Sequence, residues 1–286
     1  MSAKVVALAG ANGYVGKAFV DAFLHLGAFQ VRLLVRNESI DTAPYQEYKK
    51  RGASLHAISY DDEASLVKAL DGVDVLVSTV AAAALTSAQL CFLQSPTSPC
   101  AGVKVFFPSE YGGHFPDDVS SPAFRAKKAV VKSAQDHGLP VATLNNGGFP
   151  EYIFIPSLGF TFAAKKVTIW GEGNTKISWT TVKSLADWLA NVLKSVPVSQ
   201  LQNKDISIEG SVTTLNELVG LWERKHNDKL QVERRPLKEL EDRIAADPND
   251  FLAILLQGFD AGNAYVGGKD NKLYPRWNPD PVESIL

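Results

Sequence analysis

The chain has 286 residues, enough for two domains or one elaborated α/β domain, and its 45% hydrophobic and 21% charged content excludes wholesale disorder. Lysine and arginine total 29 against 31 aspartates and glutamates, a net charge of −2 with no long single-sign run, which argues against nucleic acid as a partner. Two cysteines, Cys91 and Cys100, match neither a CxxC redox pair nor a four-ligand zinc site, and point to a reducing, cytoplasmic compartment.

The apolar run 5–9 is too short for a signal peptide and reads as a buried first strand; no stretch of about 18 apolar residues predicts a membrane helix. Directly after it stand Gly10, Ala11, Asn12, Gly13, Tyr14, Val15 and Gly16, a GxxGxxG arrangement opening a helix. Glycines there permit a tight turn and close backbone approach to a pyrophosphate, while the helix N-terminus offers amides to the anion. Gly10, Asn12, Gly13, Tyr14, Val15 and Gly16 are therefore candidate dinucleotide ligands, with a purely structural glycine turn as the alternative. Val15, Ala18, Phe19, Ala22, Phe23 and Leu26 then follow helical spacing, and Gly27 supplies a stop.

Further strand-like runs recur at 31–35, 55–58, 73–77, 103–107 and 141–144, with helical patterns between most of them. This alternation predicts an α/β fold of Rossmann type, a doubly wound parallel sheet covered on both faces. Twenty residues after Gly16, where an NAD-preferring domain places Asp or Glu, stands Arg36; a guanidinium pairs with a 2′-phosphate and favours NADP(H), unless it is simply solvated. Thr79 and Val80, ending the fourth strand, should pass the cofactor, and Ser109 and Glu110, ending the fifth, face the same crevice. Pro96 and Pro99 should stop a crossover helix near Gln94. Past Asn145 glycines and aromatics dominate, followed by a strand in KKVTIW and helices over 184–195 and 215–226. The expected division is residues 1–150 as the nucleotide-binding domain and 151–286 as a smaller, less regular C-terminal substrate lobe.

With GANGYVG, LLVR, SLVKALDGVDVLVSTV, FFPSEYGG and GLPVATLNNGGFPEYI in this order, the chain resembles the NmrA-like, atypical short-chain dehydrogenases, and among them the isoflavone reductase and phenylcoumaran benzylic ether reductase group. FFPSEYG carries most of the resemblance, because the family commonly has PSEFG here. The resemblance implies an NADPH-dependent reductase whose catalytic lysine lies eleven residues before the glycine of a GIP or GLP turn. Counting back from Gly138 reaches Lys127, for which a surface lysine is the bland alternative. Lys127 and Phe149 are also assigned to the surroundings of the cofactor, NADPH or NADP. Where the plant reductases carry a second basic residue nine after the arginine, this chain has Tyr45; where they carry an arginine four after the lysine, it has Val131. Gly147 replaces a common asparagine, although Asn145 and Asn146 precede it. The site is thus related to that of the plant enzymes without being identical.

A YxxxK pattern occurs at Tyr45 to Lys49 and at Tyr265 to Lys269, and neither follows the fifth strand, so both read as chance and count against a sugar-nucleotide epimerase. The five histidines show no HExxH or comparable spacing, and no metal is predicted. His114, in a loop with Asp117 and Asp118, is a candidate substrate contact; Tyr111 is a candidate phenolic donor, with packing as its alternative. Phe149, Tyr152, Phe154, Phe160 and Phe162 either line the acceptor pocket or pack a core. The expected chemistry is hydride transfer from NADPH to a small aromatic or conjugated acceptor held between two lobes. Lys127 would serve as general acid or base, its pKa brought toward neutrality by burial. The rival is a non-enzymatic NmrA-like redox sensor acting on a protein partner, which the glycine loop and Arg36 do not discriminate. A monomer or homodimer follows from the resemblance.

Overall fold

A computed structural model describes residues 1–80, 102–116, 119 and 121–286. In chain order the elements are β1 (Val5–Ala9), α1 (Tyr14–Leu26), β2 (Gln30–Arg36), α2 (Ala43–Lys50), β3 (Ser54–Ile58), α3 (Glu63–Leu70), β4 (Val75–Ser78), β5 (Val105–Phe107), α4 (Pro122–Asp136) and β6 (Ala142–Asn145). There follow α5 (Pro150–Ile153), β7 (Phe160–Thr161), β8 (Lys166–Trp170), β9 (Ile177–Trp179), α6 (Val182–Ser195), β10 (Lys204–Ser207), β11 (Ser211–Thr213), α7 (Leu215–His226), β12 (Gln231–Arg235), α8 (Lys238–Ala246) and α9 (Phe251–Asp260). Cys91, Cys100, the stop near Gln94, Pro96, Pro99, Asp117 and Asp118 lie outside the described residues.

Two compact units emerge. The first comprises Met1–Glu110, Ala126–Leu144 and Ala186–Ile206; the second comprises Tyr111–Arg125, Asn145–Leu185 and Ser207–Leu286. The sequence suggested a single crossing near residue 150, whereas the chain passes between units repeatedly. Helix α6 shows why. Leu185, Ala186, Trp188, Leu189, Ala190, Val192 and Leu193 are all buried, leaving a narrow exposed stripe of Lys183, Asp187 and Lys194, and the Ala3 amide donates to the Leu193 carbonyl at 3.2 Å. A helix apolar around most of its circumference must be enclosed, and its C-terminal half is enclosed by the first unit.

The first unit is a five-stranded parallel sheet of order β3-β2-β1-β4-β5, the doubly wound arrangement expected. A parallel bridge between Phe106 and Val141 continues it, and β6 pairs with β10. Strand alternation sorts the side chains. Ala7, Ala9, Leu34, Leu76 and Phe106 share a core with Leu66, Ala69 and Leu70 of α3 and Val130 and Ala134 of α4. Val6 and Leu8 therefore face the opposite side, where α1 lies against β1 and β2. The buried stripe of α1 is Gly16, Phe19, Val20 and Phe23, rotated from the predicted one, so that Val15, Ala18, Ala22 and Leu26 are only half-buried. The rotation turns Gly16 onto the preceding loop. Gly27, at φ +60°, closes the helix as predicted.

In the second unit β8 runs parallel to β12 and antiparallel to β7, and β9 pairs antiparallel with β11. Its core gathers Ile169, Trp179, Trp222, Leu240 and Phe259, and the Trp179 indole donates to the Thr213 hydroxyl at 2.8 Å. The C-terminal part is more regular than its polar sequence suggested. Strand β12, QVERR, is an edge held partly by charge, with Glu233 paired to Lys166 at 2.8 Å and to Arg235 at 2.7 Å. Asp250 caps α9 by accepting from the Ala253 amide at 3.0 Å. Among the described residues no helix is long and apolar enough to cross a membrane.

The Gly16 position gives a direct test of this packing, because a Cβ there would lie 2.2 Å from the Gly10 carbonyl oxygen. Gly16→Ala should destabilise the protein by roughly 1–3 kcal/mol despite alanine's better helix propensity, read as a lower urea midpoint. An unchanged or raised midpoint would show that the loop yields freely.

Candidate active site

The glycine loop is built at the sheet's switch point, the place where ligands of open α/β sheets bind. Gly10 leaves β1 at φ +83°, and a Cβ there would meet the Thr79 backbone and hydroxyl at 2.8 Å. Thr79 ties the end of β4 to this loop: its amide donates to the Ala9 carbonyl at 2.9 Å, and its hydroxyl lies 3.0 Å from the carbonyls of both Ala9 and Gly10. Gly13 caps α1 without a side-chain hydrogen bond, and no acidic residue stands in the first turn. First-turn amides have no intrahelical acceptor and sit at the positive end of the helix dipole. The end of α1 is thus suited to an anion. Asn12 and Tyr14 are exposed, Val15 is half-buried, and Val80 is buried beside β4, its amide directed at the Ser78 hydroxyl at 3.4 Å.

Arg36 ends β2 and is exposed, its Nη1 standing 3.2 Å from Glu38 Oε1. Tyr45 on α2 is 8% exposed. Burial pushes its phenol up from the ordinary range, opposed by the nearby Arg36 charge and by a hydrogen bond from the Asn12 backbone. The sequence reads Tyr45 as part of a chance YxxxK pattern and, by resemblance, as the residue standing where the plant reductases carry a second basic group. The structure buries it near the glycine loop and Arg36.

Lys127 lies on α4, and Glu110 follows β5 at the carboxyl edge of the sheet. Burial disfavours the Lys127 ammonium and lowers its pKa, an effect the Glu110 charge opposes. The Glu110 carboxyl is in turn pushed up by burial and drawn back by Lys127 and Lys128. Glu110 Oε1 is buried with no hydrogen-bond partner among the described residues. Both groups are held closer to their neutral forms than solvated side chains would be.

The remaining candidates belong to the second unit. Burial raises the Tyr111 pKa, which keeps its phenol a neutral donor. The His114 amide donates to the Asn263 carbonyl at 2.7 Å, and His114 Nε2 lies 3.3 Å from the Ser207 hydroxyl. Phe149 and Tyr152 pair at 6.2 Å between ring centroids, with Tyr152 exposed. Phe154, Phe160 and Phe162, offered with them as pocket lining, instead pack the second core, Phe154 against Trp179 at 5.2 Å and Phe162 against Trp222 at 6.1 Å. Asn146, noted in the sequence only as preceding Gly147, has an unusual environment. It is fully buried, and among the described residues neither its amide nitrogen nor its oxygen has a hydrogen-bond partner, while its backbone amide and that of Gly147 both donate to the Gly112 carbonyl at 3.0 Å. A buried amide left unpaired is costly and marks a position to watch. Among the described residues no group of three or more His, Cys, Asp or Glu is placed to hold a metal ion.

Comparison with known proteins agrees with this architecture. A profile described as the NmrA-like family matches residues 2–284. The chain is 30% identical to phenylcoumaran benzylic ether reductase PT1 of Pinus taeda, over 98% of this chain and 97% of that protein. A crystal structure of isoflavone reductase superposes with a TM-score of 0.85 at 21% identity, covering 100% of this chain and 99% of that one. The binary complex of leucoanthocyanidin reductase with NADPH from Vitis vinifera superposes at 0.80 and 20% identity, covering 98% and 97%.

The buried lysine generates a pH signature. Its folded-state pKa lies below the ordinary 10.5, so over the interval between the two values the unfolded chain binds more protons and stability rises with pH. The penalty is fullest below the folded value. Replacing Lys127 with methionine should therefore help stability most at lower pH, and the difference in melting temperature from wild type should drift steadily against the variant as pH rises toward 10.5. A difference independent of pH would place the ammonium in water.

Proposed function

The chain belongs to the NmrA-like family, and from that premise we propose that it is an NADPH-dependent reductase delivering hydride to a small aromatic or conjugated acceptor, with Lys127 as general acid or base. The observation that carries this reading is the presence, in one unit, of a glycine-lined helix N-terminus and a lysine whose ammonium is disfavoured by burial. A dinucleotide fits the residues present: Gly10 and Gly16 leave no room for a Cβ, the start of α1 bears no competing acid, and Arg36 at the end of β2 supplies a guanidinium for a 2′-phosphate. Gly10, Asn12, Gly13, Tyr14, Val15, Gly16 and Arg36 would hold it, with Val80, Lys127 and Phe149 beside its reactive end. Thr79 would act by fixing the loop, since its hydroxyl is committed to backbone carbonyls.

When bound, NADPH supplies the hydride. The protein's part is to orient the acceptor and manage one proton. As a neutral amine, Lys127 Nζ can take a proton from a phenolic hydroxyl; as an ammonium it can return one to a reduced carbon or oxygen. Lowering its pKa from the ordinary lysine range makes both forms accessible nearer cellular pH, which proton transfer requires. Glu110 supplies an opposing charge that favours the ammonium form. Tyr111, His114 and Tyr152 are the residues we assign to the acceptor, the buried phenol of Tyr111 as a donor. The relative matched over 97% of its length is named a phenylcoumaran benzylic ether reductase, which supports an aromatic acceptor class. A cytoplasmic location and a monomeric or homodimeric state belong to the same proposal.

NADPH consumption against phenolic, quinone and enone acceptors, measured with cofactor affinity in parallel, tests the reading. Wild type should turn over at least one class, and Lys127→Ala should lose about 10²–10⁴-fold in kcat while binding NADPH within a few-fold of wild type. Equal turnover by both proteins would remove Lys127 from the chemistry. Tight binding by wild type without turnover would favour a dinucleotide-sensing protein instead.

A further inference from the structure

We propose that Glu38 sets how strongly this chain distinguishes a 2′-phosphorylated dinucleotide from its unphosphorylated counterpart, by holding the Arg36 guanidinium that the phosphate would otherwise take. The proposal rests on the NADPH reading above. In the β1–β2 register Ala9 pairs with Leu34, so β2 continues past the point where β1 gives way to the glycine loop, and Arg36 emerges level with that loop. Glu38 sits in the short turn Asn37–Ser39 immediately beyond, its Oε1 3.2 Å from Arg36 Nη1.

Both partners are exposed, at 62% and 65% of their side-chain surface. An exposed ion pair is weak and exchangeable, so a doubly charged phosphate can displace the carboxylate, yet the carboxylate stays tethered two residues away and repels it. Tyr45, buried and hydrogen-bonded to the Asn12 backbone, lies near the same guanidinium. Tyr45 brings a hydroxyl to this corner but no positive charge. The corner therefore combines one guanidinium, one phenol and one carboxylate. A carboxylate at the end of the second strand is also the group that accepts from the 2′-hydroxyl of an unphosphorylated ribose. Glu38 thus opposes one form of the cofactor and can accept from the other.

The experiment is equilibrium titration of wild type, Glu38→Gln and Glu38→Lys with NADPH, NADH and adenosine 2′,5′-bisphosphate, followed by calorimetry. The bisphosphate isolates the phosphate term from the nicotinamide end and needs no turnover. Glu38→Gln should tighten NADPH and the bisphosphate by roughly 3–10-fold, an effect that fades with added salt, and should leave NADH unchanged or weaker. Glu38→Lys should exaggerate the same split. If both variants bind all three ligands as wild type does, or shift them equally, Glu38 has no such role and the cofactor reading stands alone. If wild type binds none of the three, the cofactor reading falls and this inference with it.

Discussion

The contact on which the first unit depends is the meeting of β1 and β4 at Thr79. One threonine places its amide and hydroxyl against the last carbonyl of β1 and the first of the glycine loop. The loop is thereby pinned so closely that side chains at Gly10 and Gly16 have no space, and α1 must rotate to bring Gly16 inward. The rotation decides which apolar residues of α1 reach the sheet. It also leaves the uncapped N-terminus of α1 at the crevice where the strand order reverses. A backbone packing constraint and an anion-binding geometry are the same feature.

The second constraint is electrostatic. Glu110 and Lys127 are drawn from different elements into an environment that disfavours both charges, and each is the other's main relief. Burial lowers the Lys127 pKa and the Glu110 charge opposes that shift. Solvation would hold it charged, and isolation in apolar surroundings would hold it neutral. One oxygen of the Glu110 carboxyl is buried without a hydrogen-bond partner among the described residues.

Interleaving explains why the second unit's aromatics divide as they do. Phe154, Phe160 and Phe162 lie within one short segment with Phe149 and Tyr152, yet the first three close over Trp179 and Trp222 while Tyr152 stays exposed. Residues contributed from β9, α7 and α9, far along the chain, decide which rings are consumed by the core. Likewise α6 reads as a helix of the later lobe, but its enclosing contacts are made from Ala186 onward with the first unit.

The sequence by itself determined the strands of the parallel sheet, the glycine loop between β1 and α1, the stop at Gly27, Arg36 at the end of β2 and the helix Leu215–His226, because each rests on local periodicity or on a glycine or charge at fixed spacing. It also placed Lys127 by resemblance. Only the tertiary structure decided which face of α1 is buried, that Tyr45 is buried near Asn12 and Arg36, that Asn146 is a buried amide without partners among the described residues, and that burial lowers the Lys127 pKa against the opposing charge of Glu110. Strand β12 and helices α8 and α9 were equally hidden, since a charged edge strand and short capped helices draw their stability from partners elsewhere in the chain. Periodicity records how a segment meets its own backbone. Burial, pKa and pairing depend on groups brought together from distant positions, and those exist only once the chain has folded.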